Sequence, residues 1–260
     1  MRVMIAVLIV SLLAPLALAD TTEGPRPPAS TPYSYVPDQV RNPTNVAIFR
    51  DDLPWGSMAD DDVLINNGIA FTVFTSADIS LVDLSAFDKV IISNQQALFF
   101  NQMVADYAGW FEAYVEAGGC LQLGMAHYFG DLPLNTAWPG GYMLTAESGN
   151  NFLTINAAAH PVLTAPNPVT LGDLEGWNYA SHGDINDPAG SLSIISNNEF
   201  TFGTCLSEMP YGLGYITATS QPYNWVGAGN PFAENLVLYS PCGGVATETQ
   251  TWGAVKSLFK

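Results

Sequence analysis

Four short apolar runs, each bounded by polar or turn-forming residues, constrain the fold of this 260-residue chain more than any other feature. They lie within residues 46–49, 69–74, 88–92 and 120–125. Such short continuous runs are typical of strands buried on both faces of a sheet. Before the fourth run, residues 101–116 carry apolar side chains at spacings of three and four, which predicts a helix. This alternation predicts an α/β fold, with an open, mostly parallel sheet and helices on both faces.

The pattern changes after residue 140. Strand-like pieces at residues 152–155 and 191–195 are separated by Asn, Gly and Pro, and a last apolar strand is predicted at residues 215–219. A helix over residues 231–238 follows, with proline at its first turn. We therefore expect extra strand-like insertions in the second half of the sheet.

The two ends of the chain differ from this central domain. Residues 1–19 resemble a secretory signal: a basic start, an apolar stretch and small residues before a cleavage point after Ala19. Residues 20–44 form a proline-rich linker, residues 45–240 the α/β domain and residues 241–260 a tail with a short amphipathic helix. No apolar run after residue 19 is long enough to cross a bilayer, so we expect a secreted or periplasmic protein.

The charge balance excludes some partners. The chain has 24 acidic and 7 basic side chains, for a net charge of −17. Between residues 45 and 240 the basic residues are Arg50 and Lys89 alone. Nucleic acids are held through lysine and arginine at their phosphates, so a nucleic-acid partner is not expected.

Three cysteines, an odd number, are present. Cys120 lies in an apolar strand, where a cysteine usually acts as a small buried hydrophobic residue. Cys205 and Cys242 lie in Gly- and Pro-containing segments near the end of the domain. A Cys205–Cys242 disulfide is therefore the pairing we predict.

The order of these elements resembles a known superfamily. The residues that carry the resemblance are the strand at 46–49, the helix end and Gly pair at 114–119, the strand at 120–125, the Ala-His-Pro-Val segment at 159–162, and residues 211–219 before the closing helix. Together they resemble the class I glutamine amidotransferase-like superfamily, with the nearest similarity to its secreted and trehalose-utilisation (ThuA-like) branches. The resemblance implies a flavodoxin-like arrangement of strands and helices.

The resemblance also implies where a catalytic apparatus would lie. Amidotransferases of this superfamily carry a cysteine nucleophile after a central strand and a His-x-Glu pair after the last strand. Here the turn after the fourth strand reads Met125-Ala126-His127-Tyr128, and Ser220-Gln221-Pro222 follows the last strand. Cys120 lies at the opposite end of its strand from that turn. We therefore expect no glutaminase activity.

Other side chains at the strand ends suggest a different site. His127 is placed where open α/β sheets bind their ligands, Asp131 follows it, and Asp51 and Asp52 leave the first strand at the same edge. These residues form either a divalent-metal or acid/base site, or a set of caps at strand ends and helix starts; their spacing does not decide between the two. No other cofactor is expected. We interpret the Ser-His-Gly-Asp segment at residues 181–184 as a loop hydrogen-bond network.

Aromatic side chains in predicted loops suggest binding of a glycan or another small molecule, because sugar rings stack on aromatic faces. They are Trp55, Tyr128, Trp138, Tyr142, Trp177, Tyr179, Tyr223 and Trp225. The predicted ligand-binding set is Asp51, Asp52, His127, Tyr128 and Trp225. The function expected is a secreted binding or accessory module; the alternative is a polysaccharide-directed hydrolase using His127 with Asp51 and Asp131.

Overall fold

The computed structural model describes residues 41–128, 130–175, 179–199 and 201–242. The predicted signal peptide, most of the linker, the tail beyond Cys242 and Trp177 lie outside the described residues. In the described part of the chain, no helix is both long and apolar enough to cross a membrane.

The first half alternates strands and helices, as the apolar runs predict, except that short 3-10 turns and not an α-helix join β2 to β3. Its elements are β1 (Asn45–Phe49), α1 (Ala59–Asn66), β2 (Ala70–Phe74), β3 (Lys89–Ile92), α2 (Leu98–Asp106), α3 (Ala108–Glu116) and β4 (Cys120–Gly124). The helix predicted over residues 101–116 is in fact two helices, because Tyr107 leaves helical geometry with φ −106° and ψ 22°. The apolar spacing continues across this break, so the sequence pattern did not predict two separate helices.

The second half adds shorter strands before the parallel sheet is completed. Its elements are β5 (Leu144–Ala146), β6 (Leu153–Ile155), α4 (Leu171–Leu174), β7 (Asp184–Ile185), β8 (Leu192–Asn197), β9 (Thr204–Tyr211), β10 (Gly214–Thr219), α5 (Tyr223–Val226) and α6 (Pro231–Leu238). α6 begins at an Asn230 cap, whose side chain accepts hydrogen bonds from the Phe232 and Ala233 amides at 2.9 and 3.2 Å.

The strands form one mixed sheet. Five of them are parallel, in the order β2-β1-β3-β4-β10, and β9 pairs antiparallel to β10 and leads into the remaining strands. Counted along the chain, the parallel strands have the 2-1-3-4-5 order of the flavodoxin-like fold. The fold is therefore the α/β class that the sequence predicts, with the insertions as an antiparallel extension.

Both faces of the parallel strands are buried. Ala47 and Phe49 of β1 belong to the apolar cluster that includes α2 and α3, whereas Val46 and Ile48 belong to the cluster that includes α1 and α6. Alternate residues of one strand thus pack into two different layers, which is why the run has no polar face.

The cysteine pairing predicted from the sequence is wrong. Cys242 forms a disulfide with Cys120, at a Cα–Cα distance of 5.7 Å, and Cys205 is a buried free thiol. Cys120 starts β4 at the amino edge of the sheet, and the chain returns to this edge after α6. The apolar sequence around Cys120 indicated burial, but burial does not distinguish a free cysteine from a bonded one.

Candidate functional site

A pocket of about 310 Å³ opens at the carboxyl edge of the parallel strands. The loops after β1, β4 and β10 contribute to it, together with a segment of the insertion before β7. Parallel strands all end at the same edge, so residues far apart in the chain meet there. The pocket is lined by Trp55, Tyr128, Tyr179, His182, Pro222 and Trp225.

A row of three polar residues after β3 ties the strand exits together. The Asn94 side chain accepts from the Ala126 amide at 3.0 Å and donates to the Asn224 side chain at 2.8 Å, which links the exits of β4 and β10. The Gln96 side chain accepts from the Asp51 amide at 2.7 Å and donates to the Asp52 carbonyl at 2.9 Å. The loops beneath the pocket are therefore fixed by hydrogen bonds before any ligand binds.

Two of the pocket rings are held by backbone in the left-handed region. Trp55 has φ 49° and Tyr179 has φ 65°. The Trp55 amide donates to the Gln95 side chain at 2.5 Å, and the Tyr179 amide donates to the Asn151 side chain at 2.9 Å. For residues with large side chains this conformation costs about 1–3 kcal/mol, and such costs concentrate at ligand sites.

His182 forms the polar part of the pocket wall. Its Nδ1 lies 3.0 Å from the His127 carbonyl, which can only accept, so Nδ1 carries the hydrogen and Nε2 is left as an acceptor. Its ring centroid lies 5.4 Å from Trp55 and 5.9 Å from Tyr179, in edge-on geometry. Burial lowers the pKa of His182 below its ordinary value. The sequence placed this residue in a loop network and gave no sign that it faces a pocket.

His127, a residue of the predicted site, is buried below the pocket. Its Nδ1 accepts from the Gln96 amide at 3.1 Å, and its Nε2 donates to the Gly124 carbonyl at 3.1 Å. Burial lowers the pKa of His127 to about 3, so the ring is neutral at physiological pH. Both nitrogens are used in holding the turn after β4, which leaves neither for a metal or for proton transfer.

The three predicted carboxylates do not gather around His127. Asp51 accepts from the amide and hydroxyl of Ser76 at 2.7 and 2.8 Å, Asp52 is exposed, and Asp131 is half-buried in the loop after β4. Among the described residues, no group of three His, Cys, Asp or Glu side chains is arranged to hold a metal ion. The capping interpretation left open by the sequence applies to Asp51.

The predicted binding aromatics separate into two groups. Trp55, Tyr128, Tyr179 and Trp225 line the pocket. Tyr128 and Trp225 are the most exposed of them, at 55% and 59%. Trp138, Tyr142 and Tyr223 are buried in the core. A loop position in the sequence therefore did not distinguish a pocket ring from a core ring.

Comparisons with known proteins find a distant relative and several similar solved structures. No family model matches the chain. An uncharacterized protein of Clostridium acetobutylicum is 26% identical over an alignment of 209 residues that covers 75% of this chain. The chain spans about a fifth of that protein's length (20%).

The chain is also similar to solved structures, including the following two. One, assigned as a GMP synthase subunit, is from Thermoplasma acidophilum and is 12% identical to this chain with a TM-score of 0.49. The match covers 83% of this chain and 98% of that protein. The other is a glutamine amidotransferase from Thermotoga maritima, with 11% identity and a TM-score of 0.46 over 70% of this chain and 76% of its own. A glutamine amidotransferase is thus among the solved structures similar to this domain.

Proposed function

We propose that this domain is a non-catalytic binding module, and that a glycan or another small ligand sits in the pocket at the carboxyl edge of the sheet. The observation that carries the proposal is the set of four aromatic rings at that edge, two of them on left-handed backbone. The side chains of Asn94, Gln95 and Gln96 accept hydrogen bonds from backbone amides and so fix the loops that present these rings. A pre-formed pocket lowers the entropy cost of binding.

Glutaminase chemistry is not part of the proposal. The turn after β4 contains buried Met125 and Ala126 where a nucleophile would stand. Cys120 is in a disulfide, and burial raises the pKa of the Cys205 thiol to about 12, which disfavours the thiolate that such chemistry needs. The alternative hydrolase depends on His127, whose ring nitrogens are both engaged.

The proposal includes secretion, with cleavage after Ala19. A Cys120–Cys242 disulfide is the feature of the folded domain that supports it, because disulfides persist in oxidising compartments. The intact mass of protein recovered from the medium or periplasm tests this part: a chain beginning at Asp20 is expected, and a chain that retains residues 1–19 in the cytosol would overturn it.

The binding proposal is tested by thermal unfolding and tryptophan fluorescence of the mature chain against a panel of glycans and small organic solutes, with and without EDTA. A ligand that binds the native state raises the melting temperature and changes Trp55 or Trp225 emission. We expect Trp225→Ala to remove both effects. Phe99→Ala is the matched control, since Phe99 is 66% exposed on α2 and does not line the pocket.

Two outcomes would contradict the proposal. One is a ligand-induced shift that Trp225→Ala leaves unchanged, which would place the ligand elsewhere. The other is turnover of a glycan or amide substrate by the wild-type protein, which would make the domain an enzyme. A shift that EDTA abolishes would instead favour the divalent metal that the sequence left open.

A further inference from the structure

The walls of the pocket are aromatic to an unusual degree. Four of its six lining residues carry aromatic side chains (Trp55, Tyr128, Tyr179 and Trp225), and Pro222 adds another apolar surface. The faces of such rings carry a negative electrostatic potential, which attracts a cation placed over them.

Three of the carboxylate and amide side chains near the pocket are already engaged, whereas the buried side chain of Gln221, next to Pro222, has no hydrogen-bond partner among the described residues. Asp51 binds Ser76, the Gln95 carbonyl oxygen accepts from the Trp55 amide, and the Gln96 side chain binds the backbone of Asp51 and Asp52. No Asp, Asn or Gln lines the pocket within the ranges that the structure describes. A sugar with several hydroxyl groups would therefore find few of the hydrogen-bond partners that it requires.

Positive side chains are also kept away from the pocket. Of the three described basic residues, Arg50 is paired with Asp61 at 2.6 Å and Lys89 donates to carbonyls at the end of α6 at 2.7 to 3.0 Å. Arg41 bridges Ser240 near the amino edge, opposite the pocket. His182 presents an acceptor nitrogen rather than a positive charge. Among the described residues, an anionic ligand would thus find no positively charged partner in the pocket, whereas a cation would enter a strongly acidic protein.

Building on the proposed binding function, we propose that the pocket takes a small organic cation of the quaternary or methylated ammonium class, held over the faces of the four rings. Such a group has no hydroxyls that need hydrogen-bond partners. It can also be attracted to several ring faces at once through cation–π interactions. The His182 Nε2 acceptor suits a hydroxyl or N–H carried on the same ligand.

Gly149 gives a way to test the ring arrangement without deleting a ring. A Cβ at this position would lie 1.8 Å from a ring carbon of Tyr179, so Gly149→Ala must displace that ring. Gly229→Ala is the matched control, because a Cβ there meets no atom within 4 Å.

The deciding experiment is calorimetric titration of the mature chain with choline and with dimethylbutanol, its neutral carbon isostere. A desolvated cation–π contribution corresponds to roughly thirtyfold tighter binding, so we expect choline to bind and the isostere to bind at least about tenfold more weakly. Gly149→Ala and Trp225→Ala should weaken choline binding, and Gly229→Ala should not. Melting temperatures of all variants without ligand check that each is folded.

The outcomes separate this inference from the proposed function. Equal binding of choline and its isostere would show that charge plays no part, and would overturn the inference while leaving a binding module. Binding of a glycan but not of choline or tetramethylammonium would also overturn the inference and leave the proposed binding function standing. If neither glycans nor ammonium compounds bind, both the inference and the proposed function fail.

Discussion

Protonation of His127 affects the stability of the fold and not the binding of a ligand, because the ring is buried away from the pocket. Burial lowers its pKa to about 3 in the folded state, against an ordinary value of 6.5. Between these values the unfolded chain binds more protons than the folded one, so the unfolding free energy falls as pH decreases from about 6.5 towards 3. The neutral His127 side chain therefore contributes its full stabilisation above pH 6.5, the ordinary pKa of histidine in the unfolded chain.

We predict that His127→Gln changes this pH dependence. At pH 7 the variant should be less stable by about 1–3 kcal/mol, because the Gln96 amide or the Gly124 carbonyl loses its partner. The difference from wild type should shrink in acid, since only the wild type must keep a buried imidazole neutral. Urea unfolding at neutral and mildly acid pH measures it, and other titrating groups contribute equally to both proteins.

A stability difference that stays constant across this pH range would contradict the prediction. Sequence reasoning placed His127 correctly at the end of β4, but it could not show that the side chain turns back into the protein. The inward orientation of the His127 ring depends on its hydrogen bond with the Gln96 amide, and Gln96 follows a different strand, β3. The same holds for His182, whose place in the pocket wall depends on the carbonyl of His127.

At the scale of elements, one substitution should have opposite effects at two glycines. Gly109 is exposed near the start of α3, and a Cβ there meets no atom within 4 Å. Gly109→Ala should therefore raise the unfolding free energy by about 0.5–1 kcal/mol through helix propensity and a less flexible unfolded chain. Gly124 ends β4, and its Cβ would lie 2.5 Å from the Asn94 amide nitrogen.

Gly124→Ala should destabilise the protein by about 1–3 kcal/mol, because the atoms in its way are largely backbone and cannot turn aside. Chemical denaturation of the two variants beside wild type provides the measurement. A Gly124→Ala variant as stable as wild type, or more stable, would show that the close contact between the β3 and β4 exits is not rigid. A destabilised Gly109→Ala variant would contradict the expectation for α3.

The elements that sequence could predict are those with simple patterns. β1, β3, β4 and α6 follow from their apolar runs, caps and stops. β9 was missed: it contains Pro210 and the fully buried Glu208, residues that normally argue against an interior strand. The pocket was only half predictable, because strand ends can be read from the chain but the insertion that brings Tyr179 to them cannot.

At the scale of the whole molecule, the disulfide spans a sequence separation of 122 residues. Closing so long a loop restricts the unfolded chain, and we expect Cys120→Ser with Cys242→Ser to lower the unfolding free energy by about 2–5 kcal/mol. Thiol titration provides an independent check. In the absence of reductant, the native protein should show no reactive thiol, and the denatured protein should show only Cys205.

Three thiols in the denatured, unreduced protein would rule out the disulfide. One thiol that reacts readily in the native protein would contradict the burial of Cys205, and with it the raised pKa of that group. Both readings come from the same titration, so the pairing and the burial are tested together.

Two links at the amino edge of the sheet decide where a pulling force would enter the domain. They are the β-bridge between Arg41 and Ser240 and the disulfide between Cys120 and Cys242. Tension on the segment that follows Cys242 passes through the disulfide into β4, the central strand, instead of peeling α6 from the sheet. Tension on the segment that precedes Arg41 enters β1, which is separated from β4 by β3, from the same edge. The strands are about 16 Å long, so the pocket lies about one strand length from either point of attachment.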